Sequence, residues 1–242
     1  MARIPRSQVE RWLNPRSSAA QMALLYLALT VAAHGLSPTF LSWIELVPAA
    51  VRELQLWRVL SYVFVGHKDV LSLIFAILLF TGVGAELEAS WGRRRLWLFA
   101  AGVGVGAGVL VVLLSLVMPR IAYAQFLGDW TVPTAMWVAY GLLAGPRQMN
   151  FWSLPVTGYT FALIGVGFTV LNGLFGSFYS VLPDLFAIAL TFLHIWYRFP
   201  DVIVHKFKAW QFQRDFSKRS RHLRAVEDEQ RNMPRDSDRF LH

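Results

Sequence analysis

A chain of 242 residues that is 55% hydrophobic and only 16% charged, with a mean hydropathy of +0.44, cannot cover itself with a surface of ordinary polarity. This excludes a soluble globular protein and points to an integral membrane protein. The formal net charge of +8 gathers at the two ends and in one loop, which suits an anionic membrane face better than nucleic acid, and the absence of cysteine removes disulfides, thiolate catalysis and cysteine-ligated metals.

In chain order, residues 1–18 form a basic amino-terminal segment carrying Arg3, Arg6, Arg11 and Arg16. A cleaved signal peptide is one reading, because the apolar run after it is short and ends near Ala32 and Ala33. The long basic region, with Trp12 and Pro15, favours an uncleaved first span. A crossing needs about 20 apolar residues, fewer where the bilayer is thin. Six spans are expected: 19–36, 70–87, 96–118, a short fourth at 130–144, 151–174, and 179–197. Residues 37–56, with Trp43 and Leu46 among a few charges, read as an interfacial loop.

Lys and Arg in the short loops mark the cytoplasmic side. The amino terminus, Arg93 to Arg95, Arg147 and the carboxy-terminal tail share one side, so both termini are expected in the cytoplasm. In the tail, 199–226, Ile203, Phe207 and Trp210 recur at helical spacing among Lys206, Lys208, Lys218, Arg219 and Arg221. Such a segment would bind anionic lipid or a partner, a plain solvated charge run being the alternative. Residues 227–242 read as disorder.

Gly102, Gly104, Gly106 and Gly108 lie in an apolar run with no strand before them, so they read as a close helix-packing face rather than a phosphate loop, as do Gly141 and Gly145. Ionisable residues at membrane depth are functional candidates: Glu86, Glu88, Asp184, His67 and His194. Glu86 and Glu88 would pin the loop that holds the Arg cluster. Asp184, after Pro183, reads as the cap of span six. On this topology His67 and His194 stand a membrane apart, so no metal or cofactor is expected.

Trp57 and Arg58, the run up to His67, and then Gly82, Gly84, Glu86, Trp91 and Gly92 together resemble the first loop and second helix of the rhomboid superfamily, the intramembrane serine proteases and their inactive relatives. The resemblance covers about residues 19–197 and implies an all-α, six-transmembrane-helix rhomboid-like bundle in a membrane domain of residues 19–198. It implies that a protease would carry a Ser nucleophile at the start of its fourth helix and a His base on its sixth, because a hydroxyl is a poor nucleophile until an imidazole takes its proton. In this sequence Pro133 takes the nucleophile position, followed by Thr134, and no serine lies between Gly128 and Arg147. The run Leu182, Pro183, Asp184, Leu185 holds no histidine. The His and Asn expected for the oxyanion fall on Ser72 and Ala76, and a Ser72 and His67 dyad would point its members about 140° apart on a regular helix.

The resemblance therefore implies a pseudoprotease that binds transmembrane segments of client or partner proteins, in trafficking or quality control. A bacterial inner membrane is the expected location. The alternatives are a structural subunit of a larger membrane complex and an active protease; a transporter is disfavoured, since there is no paired intramembrane charge set and no inverted repeat.

Overall fold

A computed structural model describes residues 17–151 and 154–197. Apart from the last two residues of the final helix, the described chain belongs to the compact unit Met1–Ile195. The expected basic amino terminus, the lipid or partner residues Lys206, Lys208, Trp210, Lys218, Arg219 and Arg221, and the tail 227–242 lie outside the described residues.

Helix α1, Ser18–Gly35, starts where the Ser17 hydroxyl accepts the Ala20 N–H, an ordinary amino-terminal cap. The stretch expected as an interfacial loop contains short helices, α2 (Pro38–Ile44) and α3 (Pro48–Arg52), and runs into α4 (Arg58–Ser61) and a 3-10 turn at Tyr62–Phe64. Prolines 38 and 48 start α2 and α3 at the position where a missing N–H costs nothing. Helix α5 runs Val70–Trp91, capped by Asp69, whose carboxylate accepts the Ser72 N–H at 2.8 Å. Its middle, Leu79–Val83, is a π segment. Gly92, at φ 82°, makes the sharp turn into α6, Arg93–Val117, a conformation that favours glycine.

Helix α7, Thr131–Ala144, has every residue of its first nine positions buried and ends at Gly145, at φ 59°. At about 1.5 Å per residue it is only ~21 Å long, and its enclosure by other helices means that it presents little surface to lipid. Helix α8, Gly158–Phe175, and α9, Leu182–Tyr197, complete the bundle. Four helices, α1, α5, α6 and α8, are long and apolar enough to cross a membrane, whereas α7 and α9 are shorter apolar helices. Large apolar side chains such as Leu71, Leu113, Leu163, Leu174 and Phe175 are exposed on them, a surface that only an apolar solvent makes stable. The protein is an all-α integral membrane protein.

The expected fifth span, 151–174, begins seven residues late. Residues before it form a hairpin, β1 (Gln148–Phe151) paired antiparallel with β2 (Leu154–Thr157) in the register Gln148 to Thr157 and Met149 to Val156. Pro155 has no N–H and biases the residue before it to extended backbone. Thr157 then caps α8 by accepting the Thr160 N–H.

Candidate functional site

The amino-terminal turns of α7 and α9 meet over a buried polar pair. Thr131, fully buried, donates its hydroxyl to the Asp184 carboxylate at 2.8 Å. Asp184 is not the expected cap: α9 begins at Leu182, and the Leu185 N–H returns to the Val181 carbonyl, so Asp184 sits inside the first turn. It turns inward because Thr131 supplies a proton where solvent cannot. Pro133 and Leu182 are buried beside this pair. Thr134, one turn along α7 and 1% exposed, has a hydroxyl without a hydrogen-bond partner.

A second carboxylate, Asp129, lies just ahead of α7. Its Oδ2 is 2.8 Å from His67 Nδ1. The exposed imidazole sits before α5, so the 140° helical separation expected between His67 and Ser72 does not apply. His67 engages Asp129, and Ser72 gives its N–H to Asp69. The Asp129 bond holds the His67 pKa above its ordinary value against the opposing effect of burial. Asp129 is placed by Gly128, whose N–H donates to the Tyr62 and Val65 carbonyls. A Cβ at Gly128 would lie 2.6 Å from the Tyr62 oxygen.

Behind His67, α1 presents Tyr26, Thr30 and His34 at four-residue spacing. Thr30 accepts the Gly66 N–H at 2.9 Å, and the His34 Nε2–H donates to the Gly66 carbonyl at 2.8 Å. Any Cβ at Gly66 would collide with the Tyr26 phenol. Asp129, Gly66 and this stripe went unnoticed as site residues in the sequence; the four-residue repeat of polar groups within an apolar run was the signal that could have found the stripe.

In the first loop Arg58, buried, donates from Nε to Gln55 Oε1 at 2.7 Å and from Nη1 to the Ser42 and Glu45 carbonyls at 2.5 and 2.8 Å. Trp57 stacks on Trp43, ring centroids 6.1 Å apart, and donates its indole N–H to the Trp43 carbonyl. The Glu45 side chain is buried, which raises its pKa; Arg58 and a hydrogen bond from Gln125 oppose the rise.

At the other end of α5, Glu88 caps α1 from afar, accepting the Ser18 N–H on Oε1 at 3.0 Å and the Ala19 N–H on Oε2 at 3.1 Å. The expected pinning of the Arg loop by Glu86 and Glu88 is corrected here: among the described residues no ion pair joins them to the Arg cluster, and Arg93 instead donates to Gln21 on α1 at 2.6 Å. The unsatisfied amides of a helix start outcompete exposed guanidinium groups for a carboxylate. Glu88→Gln should lower stability by about 1 kcal/mol, read as an earlier unfolding midpoint in detergent. Gly84 lets α5 approach Ala19 of α1, where its Cβ would be 3.2 Å from the alanine methyl. Trp91 packs on Phe99 and His194.

The glycine row of α6 does not form one helix-packing face. Gly104 and Gly108 lie against Val63 and Tyr62 of the first loop, with the Tyr62 hydroxyl donating to the Gly104 carbonyl at 2.7 Å, Gly106 meets Leu190 of α9, and a Cβ at Gly102 would meet nothing. The row faces several ways because a two-residue spacing turns about 200° around a helix at 3.6 residues per turn. Backbone-close packing is instead at Gly141 and Gly158, where α7 and α8 touch.

Residues 17–214 match the family described as Eukaryotic integral membrane protein (DUF1751). The chain belongs to this family. The match covers every described helix of this eukaryotic integral membrane protein, and it overturns the expected bacterial inner membrane. No curated protein matches the chain.

Proposed function

We propose that this family member is a catalytically inactive, rhomboid-like membrane protein that binds transmembrane segments of client or partner proteins. In this reading α7 and α9 act as short fourth and sixth spans, with both termini in the cytoplasm. The observation that carries the proposal is the Thr131 to Asp184 pair. At the place where the resemblance calls for a serine and an imidazole, Pro133 is buried and the nearest bonded hydroxyl gives its proton to a carboxylate. Thr134 has no base on its hydroxyl, and a threonine alcohol without a base is a poor nucleophile.

A client helix would dock between α5 and α8. These helices meet through rings, Phe75 against Phe168 at 6.3 Å, with Trp130 just ahead of α7 and Trp137 of α7 packed on both, and both helices carry exposed leucines, Leu71 and Leu171. Photocrosslinking residues at positions 71 and 171 should capture several membrane proteins below stoichiometric yield. Capture of one protein at fixed stoichiometry would make the chain a complex subunit. Capture of lipid alone would overturn the proposal, as would cleavage of a transmembrane substrate that is lost in Thr134→Ala.

A further inference from the structure

The two halves of α5 are restrained differently. From the π segment to Trp91 the helix is fastened to the bundle, with Phe80 and Leu87 fully buried, Gly84 against Ala19, and Glu88 on the start of α1. Ahead of the π segment, Val70, Leu71, Ile74 and Leu78 are exposed. This half is held inward by Ala76, by the Phe75 ring among Trp130, Trp137 and Phe168, and at its entry by the His67 to Asp129 bond. Between the halves the helix is weakened in three ways. The π turn widens the backbone pattern, the Thr81 hydroxyl donates to the Ile77 carbonyl one turn back, and Gly82 has open space beside it. π segments and threonine back-bonding are established sites of helix bending.

We infer that Val70–Leu78 is a gate segment hinged at Leu79–Val83 and latched by His67 on Asp129, closing when His67 binds a proton and loosening when it loses one. Its use in client entry rests on the proposed function; the hinge and latch do not. The charged groups facing His67 are Asp129 ahead of α7, Asp184 on α9 and Asp69 at the cap of α5. Lys68 is its sequence neighbour, and His34 on α1 engages the adjacent Gly66 carbonyl. All three carboxylates favour the imidazolium. The Asp129 bond raises the folded-state pKa above the ordinary 6.5. The charged latch is therefore complete below that ordinary value and is lost as pH rises through the raised one.

The sequence holds no cysteine, so nitroxides can be placed on Leu71→Cys and Leu171→Cys, both exposed positions, in the full chain in detergent. Pulsed electron-spin distance measurements should show one short separation near pH ~5 and a growing longer population toward pH ~9. His67→Gln, at an exposed side chain, should show the longer population at both values, so the pH response is lost. Lys68→Gln should keep the wild-type response. A distribution that does not change with pH in the wild-type background overturns the inference, as does a pH response that survives His67→Gln. Because no client is present, a flat titration removes the latch and leaves client binding standing, while failure of crosslinking removes client binding and leaves the latch.

Discussion

Arg58→Ala should lower the stability of the protein by roughly 2–4 kcal/mol, among the largest single effects in the chain. The guanidinium satisfies two carbonyls, Ser42 and Glu45, and the Gln55 side chain at once. Truncation leaves those acceptors in a loop where α2, α3 and α4 have little core of their own. Glu45, already buried, also loses its nearest opposite charge. Arg58→Lys should recover only part of the loss, because an ammonium on a flexible stem cannot reproduce a planar fork that reaches three acceptors. Unfolding by increasing SDS in mild detergent, followed by far-ultraviolet circular dichroism, measures both variants. A midpoint unchanged in Arg58→Ala would show that the loop does not depend on this residue.

Gly141→Ala should cost about 1–3 kcal/mol, while Gly102→Ala should be neutral or stabilise by up to ~1 kcal/mol. At Gly141 a Cβ would lie 2.6 Å from the Gly158 carbonyl oxygen and 2.7 Å from the Ala162 amide nitrogen. Those are backbone atoms, so neither can turn aside, and α7 and α8 must separate. Separation loosens the packing of Trp137, whose indole N–H donates to the Phe161 carbonyl at 2.9 Å. At Gly102 nothing lies within reach of an added methyl, and the helix only loses a flexible residue. The same unfolding assay compares the two variants; equal effects would refute the assignment of the close contact to α7 and α8.

How much of this was legible beforehand differs by element. Helices α1, α5, α6 and α8 follow from apolar run length, because lipid demands about 20 apolar residues whatever the neighbours are. The late start of α8 was signalled by Pro155 and Thr157, but a greasy run with a hairpin before it looks like one longer span. In the candidate site, Asp184 and Thr134 were visible as polar residues in apolar surroundings. Their arrangement was not, since Thr131 and Asp184 lie far apart in sequence and either could have bonded its own backbone.

The sequence by itself determined that this protein lives in a bilayer and roughly where its long helices run. Those are statements about composition and run length. Only the tertiary structure decided that Glu88 caps α1, that Arg58 ties the first loop, that Gly141 rather than the α6 glycines marks backbone-close helix packing, and that His67 is held by Asp129. Each depends on which buried donor finds which acceptor across the fold, and that choice is made by the packing of whole helices, not by the residues beside each group in the chain.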